Sequence, residues 1–380
     1  MRPSWIMRCE ISVPGRGLKM LNLPCLQCRA SLTTWAGDTY TAILNSPQPR
    51  RAQNMSEPFV CQVALVALNG KNLRKWYEQA FGFLCAGGTV FAGPLTTRVQ
   101  GIPRVANVCR WLVDSKDLFQ VEIFEYWSPK SKPRRPDWRA CDIGYSRVGL
   151  HVADFDRAIK NLSAVGARPL TEPLGSRGAR RVCVRDPEGN LVELMEDDPL
   201  EGRGLPKARP EVPVAVRTVT LSVPDLGAAR HTWTEAFGLA EVQGIKLHES
   251  EHESLWGLPG ADQDAVFLDG GGVLVELVEY RNPAGRPRPG GYRICDQGIM
   301  NVALGFRSKE DFDHAFARAC NRGCRPNGAP LDIGVFKVMY VTDPQGFSVE
   351  LLYPRPWAFR LTGFKPSPSW PWSRRVSTWG

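Results

Sequence analysis

The chain has 380 residues, of which 43% are hydrophobic and 23% are charged, as in an ordinary globular protein. This length exceeds one typical domain core and suggests two domains with additional segments. No apolar run approaches the roughly 20 residues that span a bilayer, and the N-terminus lacks the apolar core of a signal peptide. We therefore expect a cytoplasmic protein with no membrane partner.

The formal net charge is +9. Much of it lies in residues 1–54 and in the basic stretches "PKSKPRRP" and "RPRPG". Because there is no aromatic-interleaved basic helix and no zinc-finger spacing, we predict no nucleic-acid partner. The charge is interpreted as solvated loops that favour an acidic small molecule.

Eleven cysteines are scattered along the chain, and the odd number argues against a disulfide framework. Cys25 and Cys28 form a lone C-x-x-C without a second pair, which is a weak zinc signal. Four other cysteines fall inside apolar patterns and are predicted to be small buried thiols, namely Cys61, Cys109, Cys183 and Cys320.

The two ends of the chain show little periodicity. Residues 1–54 are expected to be an unstructured extension or an over-extended reading frame, with the patterned sequence beginning just after Met55. The Pro-, Ser- and Trp-rich residues 357–380 are expected to be a mobile C-terminal tail. Between these two ends we predict a first domain at 55–200, a linker at 201–213 and a second domain at 214–356.

Within each domain the predicted order of elements is β-α-β-β-β, twice over. Alternating strands such as "CQVALVAL" and "YSRVGLHV" are each followed by a helix with an apolar stripe. Three of these stripes are Leu73, Trp76, Tyr77 and Ala80; Phe155, Ala158, Ile159 and Leu162; and Phe312, Ala315, Phe316 and Ala319. Ser308 and Asp311 make a capping box for the last helix. The predicted fold class is α+β, with four βαβββ modules in two tandem domains.

The second domain repeats the first. Four pairs of segments match in the same order: "EQAFGF" with "TEAFGL", "VEIFEY" with "VELVEY", "DIGYSRVGL" with "DQGIMNVAL", and "DPEGNLVEL" with "DPQGFSVEL". Such regular self-similarity indicates duplication of a domain. The Asp-Pro-x-Gly segments are predicted hairpin turns before the last strands.

These features resemble the vicinal oxygen chelate superfamily, which includes glyoxalase I, extradiol dioxygenases and bleomycin resistance proteins. The resemblance covers about residues 59–354, and its most specific marks are the "DPxGNxxEL" ending and the "FGF" after the first helix. It implies that two modules pair into a cup-shaped sheet whose floor holds a divalent metal. It also implies that the ligands lie on the first and last strands of each module.

Carried over to this chain, the family's ligand positions give one set of four in each domain. The first set is Gln62, Glu122, Arg147 and Glu193, and the second is Thr218, Glu276, Asn301 and Glu350. A glyoxalase I-like site would have His where Arg147 stands. A guanidinium has no lone pair to give and repels a divalent cation, so we expect no metal and no other cofactor. Arg147 is instead expected to bridge Glu122 and Glu193.

The candidate catalytic residues are Glu122, Arg147, His151 and Glu193. The candidate substrate-binding residues are Gln62, Tyr145, Glu276, Asn301 and Glu350. Strand alternation puts Tyr145, Arg147, Gly149 and His151 on one face, so His151 is a candidate acid or base or, alternatively, a hydrogen-bonded wall residue. The glutamates are either catalytic carboxylates or members of an inert salt-bridged cluster. His248 and His252 in "HESEH" have helical metal-ligand spacing, but the glutamates around them favour a solvated face.

The resemblance implies a protein that acts on a small carbonyl-bearing or acidic organic molecule. We predict metal-independent lyase or isomerase chemistry in which a glutamate or His151 moves a proton. The alternative is a small-molecule binding or sequestration protein, and a ring-cleaving dioxygenase is less favoured because the ligand histidines are absent. A homodimer is compatible with this interpretation.

Overall fold

The computed structural model describes residues 6–11, 19–24, 56–203, 208–245, 247–366 and 371–379. The chain divides into two compact units, Met1–Met55 and Ser56–Gly380. In the first unit, β1 (Ile6–Ile11) and β2 (Lys19–Pro24) form an antiparallel pair. The expectation of an unstructured segment is therefore wrong for these two stretches. Cys25 and Cys28 lie outside the described residues.

The second unit contains the four predicted modules. Module 1 (59–128) consists of β3 (Phe59–Val66), α1 (Gly70–Phe81), β4 (Leu84–Ala92), α2 (Gly93–Gln100), β5 (Ala106–Val113) and β6 (Gln120–Ser128). Module 2 (144–195) consists of β7 (Gly144–Val152), α3 (Phe155–Ala164), β8 (Arg181–Arg185) and β9 (Leu191–Met195). Module 1 has an additional helix, α2, and module 2 has three strands where module 1 has four. The predicted order β-α-β-β-β is therefore wrong for module 2, in which Pro169 and Leu174 form only isolated bridges with β8.

Modules 3 and 4 complete the unit. Module 3 (214–282) consists of β10 (Val214–Ser222), α4 (Leu226–Glu235), β11 (Ala240–Glu241), a 3₁₀ helix (Ser250–Trp256), β12 (Asp262–Asp269) and β13 (Leu274–Asn282). Module 4 (298–354) consists of β14 (Gly298–Gly305), α5 (Lys309–Asn321), β15 (Arg325–Pro326), β16 (Leu331–Asp332), β17 (Phe336–Thr342) and β18 (Ser348–Pro354). A second 3₁₀ helix (Pro356–Ala358) and α6 (Pro371–Ser377) follow. None of the described helices has the length and hydrophobicity needed to cross a membrane.

Local sequence explains the helix boundaries. Asn69, Asp154 and Asp225 each accept a backbone hydrogen bond at the N-terminus of their helix. The predicted cap of α5 is present, because Ser308 accepts from the backbone N–H of Asp311 at 3.0 Å. The apolar stripes of these helices pack on one face of the sheets and form the largest hydrophobic core. The Asp-Pro-x-Gly turns also form as predicted; Asp343, for example, accepts from two backbone N–H groups within its own turn.

The four modules pair differently from the sequence-based prediction. In the nine-stranded sheet β14 pairs antiparallel with β3, so module 1 combines with module 4. In the seven-stranded sheet β7 pairs antiparallel with β10, so module 2 combines with module 3. The division into two consecutive domains at 55–200 and 214–356 is therefore wrong. All four first strands have similar alternating patterns, and such a pattern sets which face is buried but does not select the partner strand. We call the two concave faces the 1–4 cup and the 2–3 cup.

The predicted linker and tail are also in contact with the sheets. In the described part of 201–213, the Arg209 side chain donates to the carbonyl of Asp114 at 2.6 Å. In the predicted tail, α6 packs on β4 and β5, where Ser373 accepts from the backbone N–H of Gly88 at 2.9 Å. Phe364 and Val376 are fully buried. The expectation of a mobile tail is wrong for the described residues of this segment.

Candidate functional site

The 2–3 cup brings together the side chains of Arg147, Glu193 and Glu276. Thr220 lies opposite Arg147 across the β7–β10 ladder and opposite Glu276 across the β10–β13 ladder. Glu193 lies opposite Gly149, two residues along β7 from Arg147. Since paired residues on adjacent strands project to the same face, these side chains converge on the floor of the cup.

Two cations lie between the two glutamates of this cup. Arg147 Nη2 donates to Glu276 Oε2 at 2.7 Å, and its Nε is 3.3 Å from Glu193 Oε2. His248 lies 2.8 Å from Glu276 Oε1 through Nδ1 and 3.0 Å from Glu193 Oε1 through Nε2. The guanidinium also stacks on Trp256, with its carbon 3.6 Å from the ring centroid. The cluster is buried, with Arg147 exposed by 1% and Glu193 by 0%.

The charges of this cluster stabilise one another. Burial alone would lower the pKa of His248, but the carboxylates of Glu193 and Glu276 outweigh it and raise that pKa to about 9. Burial alone would raise the pKa of Glu276, but His248 and Arg147 hold it at about 2. The pKa of Glu193 is lowered in the same way. At neutral pH this cup therefore holds two carboxylates stabilised by three cations, since Arg181 Nη1 also lies 3.3 Å from Glu193 Oε1.

The 1–4 cup has the equivalent four positions with a different chemistry. They are Gln62 on β3, Glu122 on β6, Asn301 on β14 and Glu350 on β18. Ala64 lies opposite both Glu122 and Asn301, and Ala303 lies opposite both Gln62 and Glu350. The four side chains thus project from one face of four adjacent strands, and none of them is a cation.

Burial raises the pKa values of both carboxyl groups of the 1–4 cup. Burial raises the pKa of Glu122 to about 7, although its Oε1 accepts from Trp111 Nε1 at 3.0 Å and from the Cys109 thiol at 3.6 Å. Burial, together with the charge of Glu122, raises the pKa of Glu350 well above its ordinary value. The cup therefore has carboxyl groups that can both donate and accept a proton near neutral pH.

A cavity of about 350 Å³ opens above this floor. Gln62, Glu122 and Glu350 line it, whereas Asn301 does not. Its walls are largely apolar and aromatic: Val90, Phe91, Trp111, Val335, Phe336, Leu352, Leu361 and Phe364. Among the described residues that line the cavity, none is Lys, Arg or His. A volume of this size suits a small organic molecule.

The divalent metal implied by the family resemblance can be tested against both cups. The Arg147 guanidinium lies between the two glutamates of the 2–3 cup, so that cup does not fit a metal. In the 1–4 cup, Gln62 Oε1, Asn301 Oδ1 and Glu350 Oε2 are buried and have no hydrogen-bond partner among the described residues. Together with Glu122 they form an all-oxygen donor set, which suits a hard cation such as Mg²⁺ or Mn²⁺.

This donor set mixes carboxylates with amides. Among the described residues, no three His, Cys, Asp or Glu side chains converge as a metal-binding group. The expectation of no metal rested partly on Arg147, which lies in the other cup, and partly on the absence of histidine at the first-strand positions, here Gln62 and Asn301. That expectation stays a prediction, on the second reason alone for this cup.

Several predicted site residues lie elsewhere than expected. The set Gln62, Glu122, Arg147 and Glu193 is not one site, because module 1 does not pair with module 2. Arg147 bridges Glu193 and Glu276, and not Glu122 and Glu193 as predicted.

The predicted shared face of β7 is interrupted. The β7–β10 register shifts between Arg147 and Tyr145, so a bulge at Ser146 turns Tyr145 toward the hydrophobic core. There the Tyr145 hydroxyl donates to the carbonyl of Ser348 at 2.7 Å. His151 lies toward the other end of β7, with Nδ1 3.7 Å from Asp198 Oδ2.

The main residue that the sequence interpretation missed is His248. The sequence interpretation assigned it to a solvated face. In the structure His248 and His252 are both buried, with exposed fractions of 9% and 8%. The signal that could have found it is the apolar pattern around it, since Leu247, Leu255 and Trp256 are buried alongside. The predicted buried thiols are confirmed for Cys61, Cys109 and Cys183, whereas Cys320 is half-buried.

Comparison with known proteins supports the fold. Residues 215–351 match the family model of the Glyoxalase/Bleomycin resistance protein/Dioxygenase superfamily. No curated protein matches the chain. Glyoxalase I from Zea mays is 15% identical with a TM-score of 0.53, over 78% of this chain and 92% of that one. A candidate dioxygenase from Bacillus subtilis is 12% identical with a TM-score of 0.54, over 82% of this chain and 91% of that one. These likenesses confirm the predicted α+β fold class.

Proposed function

Because residues 215–351 match the Glyoxalase/Bleomycin resistance protein/Dioxygenase superfamily, we propose an activity of the kind found in such cups. In this proposal the 1–4 cup catalyses proton transfer on a small, neutral, carbonyl-bearing molecule. The observation that carries this proposal is the pair Glu122 and Glu350, whose pKa values are raised by burial at the floor of a cavity of about 350 Å³. Carboxyl groups with raised pKa values in a cavity are suited to general acid–base catalysis.

The two carboxyl groups have complementary roles in this mechanism. The Glu122 carboxylate removes a proton from the carbon next to the substrate carbonyl. The protonated Glu350 donates its proton to the carbonyl oxygen, which gives a neutral enol with Glu122 protonated and Glu350 as a carboxylate. Return of a proton from Glu122 to carbon, and of the oxygen-bound proton to Glu350, restores both groups. The outcome is proton exchange, or isomerisation when the proton returns to a different position of the enol. The Gln62 side-chain amide lines the same cavity and donates a hydrogen bond to the developing oxyanion.

The lining of the cavity favours a neutral substrate over an acidic one. An anionic group would meet two carboxyl groups and no cation among the described lining residues. Burying a charge without a partner is strongly unfavourable. The acidic alternative considered from the sequence is therefore set aside in favour of a carbonyl compound without a charged group.

A bound divalent cation would be compatible with this site. Gln62, Glu122, Asn301 and Glu350 would hold it, and it would polarise the substrate carbonyl as a Lewis acid. The residues of the chain would still orient the substrate, exclude water through the aromatic walls and supply the hydrogen bonds of Trp111 and Cys109 to Glu122.

The proposal is tested by proton exchange in D₂O. The purified protein is incubated with a panel of neutral ketones and 1,2-dicarbonyl compounds, and loss of the α-proton signal is followed by NMR. We expect Glu122→Gln to slow exchange by roughly 10²–10⁴-fold. The matched control is Glu125→Gln on the same strand, whose side chain faces the other side of the sheet and pairs with Arg110. If both variants exchange at the wild-type rate, Glu122 is not the base.

The pH profile gives a second readout. Because burial raises the pKa of Glu122 to about 7, the exchange rate should rise with pH through this value as the carboxylate forms. A rate that is constant between pH 5 and 8 would contradict the assignment of Glu122 as the base.

A second candidate function is binding without turnover. The aromatic walls favour it, since Phe91, Trp111, Phe336 and Phe364 could enclose an apolar ligand without any chemistry. Saturable binding of a panel compound without α-proton exchange would favour this candidate over the enzyme.

A further inference from the structure

A second cavity, of about 130 Å³, lies outside both cups. It is lined by the two segments that connect the modules within each half of the duplication, residues 129–143 and 283–297. Equivalent residues of the two halves face the same space: Arg134 and Arg288 are one such pair, and Trp138 and Tyr292 are another. The cavity therefore combines two arginines and two aromatic rings.

Among the described residues, the hydrogen-bond acceptors of the two arginine side chains are all neutral. Arg134 donates to the carbonyl of Gly189 at 3.1 Å and to the side-chain oxygen of Asn190. Arg288 donates to the carbonyls of Gln345 and Gly346, the latter at 2.8 Å. This differs from the 2–3 cup, where the arginine lies on two carboxylates. Burial lowers the pKa of Arg134 to about 10, so the surrounding groups compensate its charge only in part.

The other charged groups around the cavity leave it positive. Lys132 and Arg135 also line it, and Asp296 is the one acidic residue among the described lining residues. The Asp296 carboxylate accepts from Arg293 and from the backbone N–H of Lys132. Asp186 and Glu188 lie close enough to affect Arg134, and Asp343 is close to Arg288. All three lie outside the lining, and their oxygens accept hydrogen bonds from backbone N–H groups.

The aromatic rings hold the two guanidinium groups in place. The Arg134 guanidinium carbon is 4.3 Å from the centroid of Trp138, and that of Arg288 is 4.3 Å from the centroid of Phe347 and 5.6 Å from that of Tyr292. Stacked guanidinium groups keep N–H donors at their edges for a further acceptor. Planar, fixed arginines are well suited to bind carboxylate and phosphate oxygens.

We propose that this cavity, between Arg134 and Arg288, is a binding site for a compact oxyanion, either a phosphate group or the carboxylate of a small organic acid. The volume of about 130 Å³ accommodates one such group. The site is separate from the 1–4 cup and does not depend on the function proposed for it.

The test is a calorimetric titration of the full-length protein with inorganic phosphate and, separately, with acetate, at constant ionic strength maintained with sodium chloride. We expect saturable binding of at least one of the two, weakened at least tenfold by Arg288→Gln. Binding of phosphate only identifies the phosphate form of the ligand, and binding of acetate only identifies the carboxylate form. The matched control is Arg281→Gln, which removes an exposed arginine paired with Asp262 and Asp264.

Arg288 also supports a turn, so Lys132→Gln provides a second variant at an exposed position of the same cavity. It should weaken binding severalfold while leaving the melting temperature unchanged. Absence of saturable binding of both anions overturns the proposal. Equal weakening by Arg281→Gln also overturns it, because the effect would then follow net charge and not this cavity.

Discussion

In the 2–3 cup two glutamates are paired with the cations Arg147, His248 and Arg181, whereas in the 1–4 cup two glutamates face only neutral groups. The same strand positions are used in both, and burial disfavours the charged carboxylate in both. In the 2–3 cup, Arg147 and His248 overcome that effect and lower the pKa values. In the 1–4 cup, Asn301 stands at the position of Arg147, and the pKa values rise.

This difference shows how the presence or absence of neighbouring cations separates a structural cluster of glutamates from a reactive one. Glu193 and Glu276 have their oxygens engaged by Arg147, His248 and Thr220. Such carboxylates are poor proton acceptors because their negative charge is already stabilised. The carboxyl groups of the 1–4 cup lack this stabilisation and line a cavity, which is why we place the chemistry there.

The largest expected effect comes from removing the central cation of the 2–3 cup. Arg147→Ala would leave Glu276 buried with His248 alone and Glu193 with His248 and Arg181, at a cost of roughly 3–5 kcal/mol in the free energy of unfolding. The equivalent change Asn301→Ala should cost about 1 kcal/mol or less, because the Asn301 side chain makes no hydrogen bond to a described residue. Urea denaturation measures both. Equal losses for the two variants would show that the two cups do not differ as described.

The second prediction concerns the stability of the 2–3 cup at alkaline pH. The pKa of His248 is raised to about 9 in the folded state, from 6.5 in the unfolded state. Its contribution is therefore fully present below pH 6.5 and is lost as the pH rises through 9. The difference corresponds to about 3 kcal/mol. The free energy of unfolding of wild type relative to His248→Gln should fall by this order between pH 6 and 10; a constant difference would mean that His248 is not protonated in the fold.

Much of the fold could be predicted from local sequence, because its determinants are local. The apolar stripe of α5, its Ser308 cap and the Asp-Pro-x-Gly turns are set by residues within a few positions of each other. The duplication is visible in the matched segments. The position of each glutamate on its last strand also followed, since Glu122 and Glu350 lie where the repeat places them.

The composition of each cup could not be predicted, because it depends on contacts between distant segments. Whether Arg147 meets Glu122 or Glu276 is decided by which strand pairs with β7, and strand alternation carries no such information. The bulge at Ser146 turned Tyr145 away from the face on which alternation had placed it. His248 enters the 2–3 cup from a loop whose local sequence is rich in charge.

A third prediction sharpens the comparison at the metal-ligand positions. Because Arg147 lies in the other cup, the change that completes a glyoxalase I-like set is Asn301→His, beside Gln62, Glu122 and Glu350. The added imidazole lone pair should favour Zn²⁺ or Ni²⁺ over the wild-type oxygen-only set. At 100 times the dissociation constant, bound metal should stabilise the fold by about 2.7 kcal/mol.

Thermal melts with and without metal measure this stabilisation. Asn301→Leu serves as the control, since it has a similar volume and no donor atom. If metal stabilises Asn301→His no more than Asn301→Leu, the four side chains do not converge on one ion.

The smallest effect is expected at the N-terminal boundary of the 1–4 cup. Its central strand β3 begins at Phe59, and the backbone N–H of Val60 donates to the carbonyl of Gly270 at 2.8 Å. Ser56 is already anchored, because its hydroxyl donates to Asp311 at 2.5 Å. A chain that starts at Met55 therefore contains every described residue of the cup, and it should keep its α-proton exchange and melt within a few degrees of the full chain.

Differential scanning calorimetry of the two chains measures this difference in melting temperature. A larger decrease, with loss of exchange, would mean that residues before Met55 stabilise the 1–4 cup, and a comparison of the two cups would then have to include them.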